Sequence, residues 1–390
     1  MTSSSGSSSN DERNYKPEWT PADAEGGFAS HVMRGVSGGH DGMTADDAHR
    51  PARPTPPRRG RRQLSVQDYV DGVRAGDRSI LARAITLIES NAAAHFHTAQ
   101  AVLKELLPHT GGAMRVGVTG VPGAGKSTLI EALGVMLTGR GHQVAVLAVD
   151  PTSTVTGGSI LGDKTRMEQL ARDPQAFIRP SPTGGTLGGV ARKTRETLLL
   201  CEAAGFDVVL VETVGTGQSE VSVRGMVDFF LLVLITGAGD ELQGIKKGVV
   251  ELADAIAINK ADGENKIPAQ AARAEYNRAL HYLTPATEGW RTRAYTCSAM
   301  TGDGIDTLWD VVRDFREQTS ASGVFQRRRQ VQAREWLHTL IESQLKRAFY
   351  AHPEVQSRLN QIEQAVTQGT MPATSAAADL LRIFGVLDEE

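Results

Sequence analysis

The sequence has little of what several protein classes require. Its 390 residues include two cysteines, Cys201 and Cys297, which do not form a Cys-x-x-Cys pair. A disulfide framework is therefore not expected, and a reducing compartment fits best. The longest apolar run, Phe229 to Ile235, is far too short to cross a bilayer. A net charge of −3 indicates no broad field for binding nucleic acid or a membrane surface.

The first 63 residues are rich in Ser and Gly, then in Pro and Arg, and offer few apolar side chains to bury. They are predicted to be a disordered N-terminal extension. The segment has no apolar signal-peptide core and contains acidic residues that a transit peptide avoids, so we expect a cytoplasmic protein. The basic run 58–62 is interpreted as a solvated linker, with an anionic docking site as the alternative.

The rest of the chain divides into three regions. Apolar residues at helical spacing after a candidate N-cap, Ser65, predict a helical pre-domain over 64–112. Strands and helices then alternate, which predicts an α/β domain with a mostly parallel sheet flanked by helices over 113–320. Residues 321–390 are predicted to be helical. Their apolar stripe indicates either a subunit contact or packing on the chain's own sheet; it comprises Trp336, Leu340, Ile341 and Leu345.

A glycine-rich stretch between a predicted strand and a predicted helix organises the α/β region. It fits the pattern G-x-x-x-x-G-K-S/T of the phosphate-binding P-loop. Glycines let backbone N–H groups turn around the β-phosphate, and the helix N-terminus adds partial positive charge. The Lys of the motif reaches the β- and γ-phosphates, and the Ser hydroxyl ligates magnesium. The motif comprises Gly120, Val121, Pro122, Gly123, Ala124, Gly125, Lys126, Ser127 and Thr128.

A second motif, Asn259-Lys260-Ala261-Asp262, follows a later predicted strand. The Asp262 carboxylate can accept hydrogen bonds from guanine N1–H and the 2-amino group, which adenine lacks at that edge. Asn259 can meet the O6/N7 edge, and the Lys260 stem can cover the ring. Ser298-Ala299, at the next strand end, is expected to complete the base pocket. Carboxyl ends of parallel strands are where ligands bind in such sheets, so the pattern predicts GTP and GDP as ligands.

Carboxylates at other strand ends and loops point to a magnesium site. Glu212, in Glu-Thr-Val-Gly, stands where most P-loop enzymes have the Asp of Asp-x-x-Gly, and Gly215 N–H is expected to sense the γ-phosphate. Asp150 and Asp163 are further candidates to hold magnesium or its water, with loop capping as the alternative for Asp163. The predicted metal set is therefore Ser127 with Asp150, Asp163 and Glu212.

The residue after Gly215 is Thr216 rather than the Gln that orients water in many small GTPases, and Gln218 lies two residues further on. Without a positioned Gln or an arginine finger, intrinsic turnover is expected to be slow, which suits a timer or a gate. The charged, Gly-containing loop 237–247 is a candidate to complete the site when a partner binds, with Lys246 as its mobile cation.

Six segments together resemble the methylmalonyl-CoA mutase-associated GTPase family, in the metallocentre-assembly branch of P-loop GTPases. They are G-V-P-G-A-G-K-S-T, D-P-T-S, G-G-x-x-L-G-D-K-T-R-M, E-T-V-G-x-G-Q-S-E, G-A-G-D-E-L-Q-G-I-K-K-G and N-K-A-D. The resemblance runs from about residue 64 to the C-terminus, and the segment 240–247 is its most family-specific part. By motif position, 157–166 resembles switch I, 216–220 switch II, and 237–247 an additional switch.

The resemblance implies a homodimeric GTPase chaperone that gates adenosylcobalamin loading and protects or reactivates an adenosylcobalamin-dependent acyl-CoA mutase. A metallochaperone-type GTPase for another metalloenzyme is an alternative, but the sequence has no Cys-x-x-Cys or His run to carry a metal. An ATP-dependent kinase or transport ATPase is a second alternative, which conflicts with the guanine motif.

Overall fold

A computed structural model describes residues 64–90, 92–149, 167–180, 187–213, 219–236 and 247–386. These residues contain seven parallel strands in one sheet, in the order β3-β2-β4-β1-β5-β6-β7. The sheet confirms the predicted α/β class. The central strands are near-continuous apolar runs, because the helix layers bury both faces of these strands. The strands are β1 (Met114–Gly120), β2 (Val144–Val149), β3 (Ala176–Pro180), β4 (Val208–Thr213), β5 (Phe229–Leu234), β6 (Ala255–Ile258) and β7 (Arg293–Thr296).

Three N-terminal helices pack on one face of the sheet. Ser65 caps the first helix in a capping box, in which its hydroxyl accepts from Asp68 N at 3.1 Å and the Asp68 carboxylate accepts from Ser65 N at 2.8 Å. This confirms the predicted N-cap. The buried cluster on this face combines these helices with α6 and α7. The helices are α1 (Val66–Arg74), α2 (Arg78–Glu89), α3 (Ala93–Leu106), α4 (Lys126–Gly139), α5 (Glu168–Arg172), α6 (Leu187–Ala203) and α7 (Ser219–Arg224).

The opposite face is covered by α4, by α10 and by the start of α11. Phe315 of α10 anchors this cluster, with ring centroids 5.0 Å from Phe229 and 5.1 Å from Trp290. A smaller cluster joins α9 to β5 and β6. The remaining described helices are α8 (Lys247–Leu252), α9 (Lys266–Leu280), α10 (Ile305–Ala321), α11 (Val324–Ala351), α12 (Pro353–Thr367) and α13 (Ala373–Phe384). None of the described helices combines the length and the apolar character that a membrane span requires.

Helix α11 is 28 residues long and begins at Val324, within the region 321–390 that the sequence predicts to be helical. Its first part packs on the sheet domain, where Phe325 joins the buried core and Gln332 is buried. Beyond Trp336 the helix is mostly exposed and contacts α12, which packs on α13. We call residues 337–386 the C-terminal arm.

The structure contains a strand that the sequence pattern did not predict, and it does not test the predicted domain boundaries. The strand β3 was not predicted, because an edge strand of five residues that ends in Arg179-Pro180 carries little of the apolar pattern of a buried strand. The division at 112/113 and 320/321 stays a prediction. Residues 63–390 form one compact unit, within which residues 324–336 pack on the sheet domain.

Candidate functional site

The motif from Gly120 to Thr128 spans the end of β1, the connecting loop 121–125 and the start of α4, at the carboxyl edge of the sheet. Gly120 has φ +151°, and a Cβ there would lie 2.0 Å from the Val233 carbonyl oxygen of β5. Gly125 has φ +82°, and a Cβ there would lie 2.7 Å from Asn259 Nδ2. Both positions therefore require glycine, for backbone conformation and for space. Pro122 and Gly123 are exposed at the loop tip, while Ala124 is buried.

Lys126 is held within this loop. Its Nζ donates hydrogen bonds to the carbonyl oxygens of Gly120 at 2.9 Å and Val121 at 3.1 Å. Burial lowers the pKa of the Lys126 ammonium, while the nearby Glu212 and Glu220 carboxylates raise that pKa in opposition. An ammonium held by two backbone carbonyls and partly removed from water is poised to bind an anionic phosphate.

Two of the predicted metal ligands meet directly. The Ser127 hydroxyl at the start of α4 donates to Glu212 Oε1 at the end of β4, over 2.7 Å. The two residues meet because β1 and β4 are adjacent parallel strands. A second bond between these strand ends joins the Thr213 and Thr119 hydroxyls at 2.7 Å. A hydroxyl and a carboxylate at this distance are oxygen ligands of the kind that Mg²⁺ prefers.

The guanine motif lies beside the phosphate loop. Asn259 follows β6 and is buried; its Nδ2 donates to Ala124 O at 2.8 Å, and its Oδ1 accepts from Ala299 N at 3.1 Å. Asn259 therefore ties the phosphate loop to both predicted base-binding loops. Nδ2 carries two N–H groups, and Ala124 takes one of them.

Asp262 and Ser298 form the adjoining part of the predicted base pocket. The Ser298 hydroxyl donates to the Asp262 carboxylate, and the backbone bond from Ala261 N to Cys297 O, at 3.0 Å, joins the same two loops. Lys260, two residues before Asp262, has φ +59°. Among the described residues it is the one non-glycine residue with a positive φ. Such a conformation is uncommon for a residue with a side chain, and functional sites often contain one.

Five predicted site residues lie outside the described residues: Asp150, Asp163, Gly215, Gln218 and Lys246. Their roles stay predictions. Within the described part of the chain, no group of three His, Cys, Asp or Glu side chains is arranged to hold a metal ion. The residues that the structure brings together at the carboxyl edge are those of the phosphate loop, Glu212, the motif at 259–262, and Ser298 with Ala299.

Two site features were not assigned from the sequence. Glu220 is buried on the first turn of α7, and its charge acts on Lys126. In the sequence it stood as the last residue of E-T-V-G-x-G-Q-S-E and of the segment 216–220 that resembles switch II, with no role of its own and no sign of burial in the apolar pattern around it. Cys297 is also buried beside the base loops, and burial raises the pKa of its thiol to about 12, so it stays a neutral thiol 3.7 Å from Asn259 Oδ1.

Comparison with known proteins gives consistent results. Residues 81–354 match the model of the family described as methylmalonyl Co-A mutase-associated GTPase MeaB. A putative GTPase of Caulobacter vibrioides is 56% identical over 325 residues, covering 83% of this chain and 99% of that protein. The mitochondrial methylmalonic aciduria type A homolog of Mus musculus is 45% identical over 335 residues, covering 83% and 80%. A crystal structure titled LAO/AO transport system kinase superposes with a TM-score of 0.67 at 40% identity, covering 82% and 97%.

Proposed function

The chain belongs to the methylmalonyl-CoA mutase-associated GTPase family and is a GTPase, and from this premise we propose that it gates adenosylcobalamin loading into such a mutase and protects or reactivates that enzyme. The observation that supports the proposal best is the role of Asn259. One buried side chain joins the phosphate loop at Ala124 to the base loop at Ala299, so the two predicted halves of a GTP site form one unit. In a site of this kind, binding of the base and binding of the phosphates would affect each other, which suits a nucleotide-dependent switch.

The proposed nucleotide chemistry follows from the polar groups at the strand ends. Lys126 would exchange its two carbonyl partners for the β- and γ-phosphates, which are stronger, charged acceptors. Ser127 and Glu212, with Asp150 and Asp163 from outside the described residues, would hold magnesium. Bound magnesium would neutralise charge on the β- and γ-phosphates. Gly215 N–H is proposed to contact the γ-phosphate, and Gln218 to lie near the attacking water.

The C-terminal arm is proposed to form a homodimer. Leu337, Ile341 and Leu345 recur every four residues along α11 and are 55%, 45% and 57% exposed. Residues four apart share one helix face, so these three side chains form a continuous apolar strip. An apolar strip of this length on a helix face marks a contact surface. We further propose a cytoplasmic location, as the N-terminal composition predicts.

The test measures GTP hydrolysis by the full chain and by Lys246→Ala, each with and without an adenosylcobalamin-dependent methylmalonyl-CoA mutase. We expect slow basal rates in both proteins. We expect the mutase to stimulate the wild type on the order of a thousandfold, as when a missing transition-state group is supplied, and to stimulate the variant far less.

Lys247→Ala is the matched control, because it removes the neighbouring charge from the same segment. Equal stimulation of wild type and Lys246→Ala would remove Lys246 from the mechanism. Failure of the mutase to stimulate the wild type would overturn the gating proposal. Competition of GTP binding by ATP at equal concentration would overturn the guanine assignment and restore the ATP-dependent alternatives.

A further inference from the structure

The turn between α7 and β5, residues 224–228, is held by side chains from two distant parts of the chain. Gln332 of α11 is buried, and its Nε2 donates to Arg224 O at 3.2 Å and to Val227 O at 2.9 Å. The rest of its helix face toward the C-terminus is exposed. A buried amide that donates to two backbone carbonyls fixes the turn to α11, because losing the donor would remove a hydrogen bond from each carbonyl.

Arg195 of α6 also donates a hydrogen bond to this turn. Its Nη2 donates to Gly225 O at 2.6 Å, and its Nη1 donates to Gln332 O at 3.3 Å. The guanidinium also lies over the Trp336 ring, 4.7 Å from the ring centroid. Arg195 therefore binds the turn and α11 simultaneously. Burial lowers the pKa of this guanidinium to about 10, which leaves it charged near neutral pH.

The start of α11 is anchored to the same turn by Arg329, in addition to the clamp that Gln332 and Arg195 form. Arg329 Nε and Nη2 donate to the two Asp228 carboxylate oxygens at 2.7 and 2.6 Å, and Asp228 also accepts from Arg115 N at 2.9 Å. Arg329 further binds the carbonyl oxygens of Gly111 and Ala113. Arg329 fixes the first turns of α11, and the residues beyond Trp336 are mostly exposed. A movement of the C-terminal arm would therefore reach the sheet domain through the segment around Gln332.

The other end of α7 lies at the nucleotide site. Glu220, on its first turn, is buried, and Val223 of the same helix packs against β1, where a Cβ at Gly117 would lie 3.1 Å from Val223 Cγ1. Strand β1 leads into the phosphate loop. Arg224 O, which Gln332 binds, belongs to the last residue of this six-residue helix. At 1.5 Å per residue, Glu220 and Arg224 lie about 6 Å apart along the helix axis, and we expect so short a helix to move as one body.

We infer that Gln332 and Arg195 are positioning residues that couple the C-terminal arm to the nucleotide site through helix α7. In this arrangement, a partner that binds the arm displaces α11, and the clamp carries that displacement to Glu220 and the phosphate loop. The inference rests on the proposed GTP site and adds to it a route by which the arm regulates hydrolysis. Substitution of Gln332 or Arg195 would remove these hydrogen bonds without changing any residue of the proposed nucleotide site.

The experiment compares Gln332→Met with Gln330→Met in the full chain. Methionine keeps the length of the buried side chain and removes its donor, while Gln330 is an exposed neighbour on the same helix. We expect Gln332→Met to lower kcat for GTP about fivefold or more while KM stays within about twofold, since the variant loses positioning rather than ground-state binding. Gln330→Met is expected to match the wild type in both constants.

Arg195→Lys provides a second variant, which keeps the charge and loses the planar fork that joins Gly225 to Gln332. We expect the double variant with Gln332→Met to have the kcat of the slower single variant, because both remove one clamp. Amide hydrogen exchange over 219–228 supplies a readout that does not depend on turnover. We expect exchange in the wild type to differ between the GTP-analogue and GDP states, and the clamp variants to lose that difference.

The outcomes are distinguishable. A folded Gln332→Met protein with wild-type kcat and a wild-type exchange difference would overturn the coupling. Additive losses in the double variant would overturn a shared clamp. If Gln332→Met does not fold, Arg195→Lys alone decides, by the same kcat and exchange criteria. A wild type that binds and hydrolyses no GTP would instead overturn the proposed function. Faster amide exchange over 219–228 in nucleotide-free Gln332→Met than in nucleotide-free wild type would then still support the clamp.

Discussion

At the scale of single residues, the proposed base pocket depends on one carboxylate. Asp262 accepts a hydrogen bond from the Ser298 hydroxyl, which orients the carboxylate in the loop beside the phosphate site. A carboxylate accepts only, whereas an amide can also donate. The choice between these two side chains therefore determines which purine edge the pocket can bind.

Asp262→Asn is expected to transfer preference from GTP to xanthosine triphosphate, because the amide donates to the 2-oxo group where guanine has an amine. The discrimination between the two bases should change by about tenfold or more, since unpaired polar groups in a site built for hydrogen bonds are costly. Competition binding with both nucleotides measures it. Glu264→Gln, an exposed neighbour, is the control. Unchanged preference in the Asp262 variant would place the base elsewhere.

Glu196 on α6 makes stability depend on pH. Its Oε1 accepts from Arg192 at 3.4 Å and from Gln100 at 3.5 Å, and its buried Oε2 has no hydrogen-bond partner among the described residues. Burial raises the pKa of this carboxyl above its ordinary value of 4.5, with Arg192 and Gln100 partly opposing. A raised folded pKa favours the protonated form in the fold, so this contribution to stability is present below the unfolded pKa and is lost as pH rises through the folded pKa.

We therefore expect Glu196→Gln to melt at a higher temperature than the wild type at pH 7, by a few degrees at most. The difference should shrink as the pH falls through the folded pKa and disappear below pH 4.5, where the wild-type carboxyl becomes protonated in the unfolded state as well. Thermal denaturation across this pH range measures it, with exposed Glu317→Gln as the control. A lower melting temperature for Glu196→Gln at pH 7 would show that the contact with Arg192 outweighs the cost of burial.

At the scale of secondary-structure elements, α11 has two parts with different roles. Its first three turns belong to the folded body through Phe325, Arg329 and Gln332, whereas the arm beyond Trp336 exposes an apolar strip. A cut placed before Ser322, at the boundary that the sequence indicated, would remove buried contacts along with the strip. A truncation after Trp336 would instead remove the apolar strip and keep these buried contacts.

A chain ending at Trp336 is expected to be monomeric and to bind GTP with wild-type affinity, within about twofold, because every described nucleotide-site residue precedes the cut. Light scattering and nucleotide titration measure these two properties. In the full chain, Ile341→Glu with Leu345→Glu should also give a monomer, and Ser343→Glu, at an exposed position on the opposite side of the helix, should not. A dimer that survives the cut would place the interface on the sheet domain.

At the scale of the whole molecule, the parallel sheet explains why distant segments form one site. The loops after β1, β4, β6 and β7 all leave the same edge, because parallel strands direct their carboxyl ends alike. The helices on the two faces are then free to differ in role. Helix α4 begins at the phosphate loop, while α6, α7 and the start of α11 meet at the turn 224–228.

The sequence by itself determined the fold class, the phosphate loop and the guanine motif. These are short contiguous segments whose requirements are local: glycine at Gly120 and Gly125 permits the backbone to take positive φ, and the spacing to Lys126 follows from the turn into a helix. The apolar runs of the inner strands likewise carried their own signal. The edge strand β3 did not, because a strand with one neighbour buries less of its surface.

Only the tertiary structure decided which polar side chains serve structure and which face the site. Nothing near Asn259 in the sequence indicates its bond to Ala124, and nothing near Gln332 indicates that this one glutamine of α11 is buried against Arg224. Both contacts join segments more than a hundred residues apart. A polar residue in a helix or loop looks alike in sequence whether it meets water or a carbonyl, and only packing determines which of the two it meets.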